Sequence, residues 1–324
     1  MDSELNKKLV ATILKHISEN KKPVSYLVNS LNISRESAYR RIRGDIPFTV
    51  HELIILASDL EFSIDNIFEQ ERQNRSFYDY TRADKNSSDF FVLMLKKYSE
   101  LLEKLSFSKR LETIMAFNSI PPPFYAGFPS LFKFAYYRWL YQDKEINRNE
   151  SFSDLILPDA VYTFQRKMKG NLIQGKNVIL ILDTNIFLNL IKEIQYFYNR
   201  KLLTTGELIL IKEDVTRLIE QYEELTQTGT LGTTKIQVYL SSLCISLNTI
   251  YYNEEEKVEP LFWIFTINPV IIQNNGFVSM QLKWLNSLKR QSALITQSNE
   301  IMQAEFFYKQ REYLDTYLSI DNSI

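Results

Sequence analysis

The 324-residue chain carries 38 Lys and Arg against 39 Asp and Glu, so its formal charge of −1 does not by itself point to nucleic acid. Hydrophobic residues at 45% with 24% charged residues exclude a disordered chain and fit an ordinary globular protein. The single Cys244 excludes an intramolecular disulfide, and two histidines, His16 and His51, are too few for a histidine-rich metal site. No uncharged apolar run is long enough to span a bilayer, and Met1-Asp2-Ser3-Glu4-Leu5-Asn6-Lys7-Lys8 lacks the apolar core of a secretion signal. A cytoplasmic protein of two or three domains with no membrane partner is expected. Eight Gly and nine Pro are few, which favours helices over an all-β design.

Charge is unevenly distributed along the chain. Residues 15–43 hold seven basic and two acidic side chains, a local +5, whereas residues 45–69 hold six acids and no Lys or Arg. A basic face of this kind is what phosphate binding needs. The first helix is read from Leu5, Leu9, Ile13 and Ile17, spaced for one buried stripe. Lys21-Lys22-Pro23 ends it, and the proline suits the first turn of a second helix over about 24–31 that buries Leu27, Val28 and Leu31. Asn32 tolerates the left-handed conformation of a tight interhelical turn. Ser34 is the N-cap of a third helix. On that helix Arg35, Glu36, Tyr39, Arg40 and Arg43 fall within an arc of about 140°, with Ala38 and Ile42 off it and facing inward. Gly44 supplies the stop. Thr49-x-x-Glu52 is a capping box opening a fourth helix with Val50, Leu53, Ile54, Ala57 and Leu60 inside. Ser63 caps a last helix carrying Ile64, Ile67 and Phe68.

Five short helices in this order resemble the Cro/C1-type (XRE-family) helix-turn-helix domain over residues 1–69. The resemblance is carried by Leu27, by Asn32-Ile33-Ser34, by Ser37-Ala38-Tyr39-Arg40-Arg41-Ile42-Arg43-Gly44 and by Leu56-Ala57-Ser58-Asp59-Leu60-Glu61-Phe62-Ser63-Ile64-Asp65-Asn66-Ile67-Phe68. The chain departs from the family at Val28, where Ala is preferred, and at Asn32 and Glu61, where Gly is. The resemblance implies a DNA-binding set of Lys22, Ser34, Arg35, Glu36, Ser37, Tyr39, Arg40 and Arg43. Arg35 and Glu36 open the groove helix and would reach base edges, Arg suiting guanine O6/N7 and Glu accepting from cytosine N4. Tyr39 would pack on a thymine methyl or bond a phosphate. Lys22, Arg40 and Arg43 would hold phosphates, which fix register without reading sequence.

Residues 70–88 are polar and read as a linker, with Phe77, Tyr78 and Tyr80 able to dock locally. From residue 89 to 228 a helical effector or dimerisation region is expected. Phe91, Leu95, Tyr98 and Leu102 keep helical spacing, Pro121-Pro122-Pro123 breaks the chain, and an aromatic helix over 130–142 reads as core, with a ligand pocket as the alternative. Further helices are expected at about 153–170, 184–198 and 212–225. Past Gly229 and Gly232, segments 235–242, 249–252, 261–267 and 276–280 read as strands, with a solvated turn at Asn253-Glu254-Glu255-Glu256 and helix again from 280 to about 318. Residues 229–324 are therefore expected to be mixed α+β. The fold expected for the whole is mainly α: a five-helix bundle followed by a larger, mostly helical α+β domain with a small antiparallel sheet.

One segment suggests an enzyme. Val178-Ile179-Leu180-Ile181-Leu182-Asp183-Thr184-Asn185 looks like the first strand and metal-binding acid of PIN-type ribonucleases, which would hold Mg²⁺ for phosphodiester cleavage. Such a site needs further acids, and no aspartate lies between Asp214 and Asp315. Asp183 is instead read as a helix-start residue with Thr184 as N-cap. Gly170-Asn171-Leu172-Ile173-Gln174-Gly175-Lys176 lacks the Walker spacing, so no cofactor or metal is expected. The reading is a sequence-specific transcriptional regulator, not an enzyme. Its partners would be double-stranded DNA, a second copy of itself, and a small-molecule or protein effector. A PIN-like nuclease using Asp183 and a scaffold that no longer reads DNA stand as alternatives.

Overall fold

The computed structural model describes residues 2–17, 22–60, 62, 64, 78–79, 86–106, 112–142, 151–168, 177–254, 257–264, 268–272 and 275–319. The chain forms two compact units, Met1–Phe77 with Gln273–Gly276, and Tyr78–Ile272 with Phe277–Ile324.

In the first unit, α1 (Asp2–His16), α2 (Pro23–Leu31), α3 (Arg35–Ile42) and α4 (Val50–Asp59) enclose a core of Val10, Ile13, Leu27, Ala38, Phe48 and Leu56. Each start signal acts as its chemistry requires. Pro23 occupies the first turn of α2, and Thr49 and Glu52 form the reciprocal capping box of α4. The buried stripe of α4 differs from the sequence reading. Leu53, Leu56, Ala57 and Leu60 face the core, whereas Val50 and Ile54 are 73% and 57% exposed. Ile54 lies about 100° around the helix from Leu53, outside the stripe. Phe62 is buried and Ile64 packs on the same core. The expected helix start at Ser63, together with Ile67 and Phe68, lies outside the described residues, as does most of the expected linker.

The second unit is built on a sheet far larger than expected. Its elements are β1 (Tyr78–Asp79), α5 (Ser87–Ser106), β2 (Glu112–Phe117), α6 (Pro129–Gln142), α7 (Asp159–Met168), β3 (Asn177–Asp183), α8 (Leu188–Asn199), α9 (Thr205–Thr228), β4 (Thr230–Leu231), β5 (Thr234–Ser241), β6 (Thr249–Glu254), β7 (Lys257–Ile264), β8 (Asn268–Ile272), α10 (Asn275–Arg290), β9 (Ala293–Leu294) and α11 (Glu300–Tyr317). The strand order is β1-β8-β7-β6-β2-β3-β5-β4, with β9 also on β5. β2, β3 and β5 are parallel neighbours, and β6, β7 and β8 continue the sheet antiparallel from β2. The expectation of a mainly α fold with a small antiparallel sheet is thus corrected: this is a nine-stranded mixed sheet with a parallel centre, clad in helices.

The reason lies in the two central strands. A strand covered on both faces shows an unbroken apolar run, not alternation. In β3, Val178, Leu180 and Leu182 join the main core, where they meet buried side chains of α6, α8, α9 and α11. On the opposite face Ile181 packs with Ala116, Ile245, Tyr251, Leu285 and Leu288, the last two from α10. Residues 276–280, expected as a strand, belong to α10, because Val278, Leu282 and Leu285 repeat at helical spacing toward that second face. The aromatic helix α6 is core: Phe132, Phe134 and Tyr137 are buried, and the Asp214 carboxylate accepts the N–H groups of Ser130 and Leu131 at 2.7 and 3.0 Å at the helix start.

Candidate nucleic-acid interface

The turn between α2 and α3 has the conformation that its residues allow. Asn32 takes the left-handed region at φ 52°, ψ 46°, and Ser34 is extended at φ −67°, ψ 154°. The Ser34 hydroxyl accepts the N–H of Ser37 at 3.2 Å, capping α3. At the other end Gly44, at φ 81°, closes a Schellman motif. Its N–H donates to Arg41 O at 3.0 Å, and the N–H of Asp45 donates to Arg40 O at 2.8 Å. Asn6 of α1 donates its side-chain N–H to Gly44 O at 3.2 Å, tying this stop to the first helix.

The inward side of α3 is fixed by one apolar and one ionic contact. Ala38 is fully buried in the core with Leu27 of α2. Arg41 is 9% exposed and forms a bidentate pair with Glu52 of α4, Nε to Oε2 at 3.1 Å and Nη2 to Oε1 at 2.7 Å. Its Nη1 donates to the Ser37 hydroxyl at 2.5 Å. Burial pushes the Glu52 carboxyl up, but the Thr49 N–H and the Arg41 guanidinium outweigh it and hold the pKa below the ordinary value. In the sequence Arg41 reads as one of the basic charges and as part of the family-like segment, with no inward contact assigned to it. Its place on the wheel, about 100° beyond the outer arc, was the available signal that it points inward.

The outward side carries the expected residues. Arg35, Glu36, Tyr39, Arg40 and Arg43 are exposed, as are Ser34 and Lys22, the latter at the N-cap position of α2. Among the described residues, no side chain pairs with those of Arg35, Glu36 or Arg40. Arg43 pairs with exposed Asp45 at 3.0 Å. Ser34 and Ser37 of the expected set are engaged within the unit, as cap and as Arg41 partner. On the outer side of α3, Arg35 and Arg40 are therefore the basic side chains with no side-chain partner among the described residues, and Lys22 is exposed at the start of α2.

The Asp183 turn keeps the strand end of the ribonuclease-like segment and lacks the expected helix start. Asp183 ends β3, and α8 begins only at Leu188, so neither Asp183 nor Thr184 starts a helix. The Asp183 carboxylate accepts the N–H of Asn185 at 2.8 Å. From α11, Tyr313 donates to Asn185 Oδ1 at 3.1 Å and Gln310 donates to Thr184 O at 3.0 Å. Among the described residues no group of three or more His, Cys, Asp or Glu is placed to hold a metal ion. Among them, too, no helix is long and apolar enough to cross a membrane.

No family model matches the chain, and no curated protein or solved structure does either.

Proposed function

We propose that the protein is a cytoplasmic, sequence-specific DNA-binding regulator of the Cro/C1 kind, acting as a dimer. In this reading α3 enters the major groove of double-stranded DNA and the sheet unit serves as an effector or assembly domain. The observation that carries the reading is the two-sidedness of α3. Ala38 and the Arg41–Glu52 pair lock one side, while Arg35, Glu36, Tyr39 and Arg40 are exposed on the other. A groove-reading helix needs this pre-set orientation, since contacts to base edges tolerate little misplacement. Arg35 and Glu36 sit in the first turn, where base contacts are made in this class of motif. Arg40 and Lys22 suit phosphates. Two copies would set their groove helices about 34–36 Å apart.

Selection from random duplexes with the full chain, followed by titration, tests this. Arg35→Ala should cost about 1–3 kcal/mol on the selected site and relax preference at one base pair. Arg40→Ala should weaken all duplexes alike and reduce the salt slope by about one. Duplex affinity unchanged after replacing Arg35, Arg40 and Arg43 together would end the proposal in favour of a scaffold.

A further inference from the structure

Parallel strands are ordinarily covered on both faces, but among the described residues one face of this sheet is covered over only part of its strands. α10 packs on Ile114, Ala116, Ile179 and Ile181, the middle rows of β2 and β3. One row nearer the start of these strands, Glu112, Asn177 and Lys235 stand side by side in register and are exposed. Gln237, paired with Ile179, is on the same face and also exposed.

A cavity of about 640 Å³ opens here, within the size range of small-molecule sites. Its floor is formed by β3 and β5, and its wall by the α9–β4 turn and the residues after β9. The wall is pre-formed. Thr296 Oγ1 accepts the N–H of Val238 at 2.5 Å, and Gln297 donates through its backbone to Thr226 O and through its side chain to Thr228 O, both at 2.9 Å. Gly229 sits at φ 68°, where a Cβ would come within 3.1 Å of Thr296 Cγ2, so the two sides of the wall are in close contact.

The chemistry of the floor selects a ligand class. Among the described residues, Asn177, Lys235 and Gln237 engage no side-chain partner and no carboxylate lines the cavity. Outside the lining, Lys289 lies 5.2 Å over the ring of Tyr239, the next residue along β5 on this face. Glu112, beyond Asn177 in the row, disfavours negative charge on its own side. We propose that this cleft binds a small polyhydroxylated anion, a carboxylate or phosphate carried on a polyol. The Lys235 ammonium takes the anionic group. Asn177 and Gln237, each with a donor and an acceptor, take neighbouring hydroxyls. This proposal does not rest on the DNA reading.

Calorimetric titration of the full chain with gluconate, glucose 6-phosphate and neutral glucose tests it. At least one anion should saturate, with glucose at least tenfold weaker. The preferred anion tells a carboxylate from a phosphate ligand. Lys235→Met should weaken the anion at least tenfold and leave glucose unchanged, whereas Gln237→Leu should weaken both. Both substitutions are at exposed positions, and unchanged thermal unfolding of the free variants confirms that folding is intact. Bound anion should also slow amide exchange in 234–237 and 294–297. Failure of both anions to saturate, or saturation indifferent to both substitutions, overturns the proposal.

Discussion

The helical unit and the sheet unit both use polar fasteners, the sheet unit through pairs such as Arg138 with Glu193 and Arg311 with Glu223, but they lean on apolar packing to different degrees. The sheet unit has an apolar core on each face of its strands, and many large side chains share the task. The helical unit buries far fewer, one of them only an alanine, and adds polar fasteners: Arg41 to Glu52, Tyr26 and Ser30 to Asp59, Asn6 to Gly44. A core of this size supplies about 3–5 kcal/mol at most, so each fastener is a large fraction of the total. The fastener with the greatest burial also orients α3. In this unit stability and the presentation of the arginines are therefore one property, whereas the sheet unit can lose core volume without touching that surface.

Breaking the buried pair on one side sharpens this contrast most. Arg41→Met leaves the Glu52 carboxylate without its counter-charge and should cost about 3–5 kcal/mol, unfolding the helical unit and removing duplex binding. Replacing both partners, Arg41→Met with Glu52→Leu, should recover much of the loss, less the capping contribution of Glu52. A urea titration followed by amide exchange separates the two units. Equal losses in the single and double variants would show that the pair does not act as described. Next in size is Leu180→Ala in β3, at a fully buried position, which should cost about 2–5 kcal/mol in the sheet unit. Duplex affinity should stay at the parent value. If it falls together with sheet stability, the two units are not independent in the way the comparison requires.

The same contrast explains what could be read from the sequence. Helix 35–42 was legible because its signals are local: Ser34 as cap, the arginine arc, Gly44 as stop. α9 and α11 were legible in part for the same reason. β2 was not, and β3 showed only as the first strand of the ribonuclease-like segment, because their partners are distant in sequence and most of their length is buried on both faces. Thr113 lies beside Tyr252, 139 positions on, and nothing within Glu112-Thr-Ile-Met-Ala-Phe117 announces that pairing. Of the expected interface, the exposed residues could be listed from the wheel, but the partner of Arg41 could not. Glu52 had already been assigned to the capping box, and the structure shows one carboxylate serving both roles. The cleft on β5 was illegible because Lys235 and Gln237 read simply as the solvent side of an alternating strand.

Smaller effects test how closely stop and fastener cooperate. Gly44→Ala places a Cβ at φ 81°, with Asn6 Nδ2 at an ordinary 3.5 Å, so the cost is backbone strain of about 1–2 kcal/mol. It should appear as a lower urea midpoint of the helical unit with duplex specificity retained.

The pH dependence should be subtler still. Glu52 has a folded pKa below its unfolded value. Its contribution is therefore complete above the unfolded value, about 4.3, and is lost as pH falls through the folded one. Tyr26 goes the opposite way. Burial first, then the Asp59 carboxylate, raises its phenol, so that contribution is complete below about pH 10 and is lost as pH rises beyond it. Burial raises Tyr98, Tyr222 and Tyr252 of the sheet unit as well, so an alkaline limb is common to both units. The urea midpoint of the helical unit should thus fall below about pH 4 in the parent chain and should fall less steeply in Glu52→Gln. Tyr26→Phe should flatten its alkaline limb and leave the acid limb alone. A parent midpoint that stays level from pH 6 to pH 3 would mean that the Glu52 charge contributes nothing to holding α3 in place.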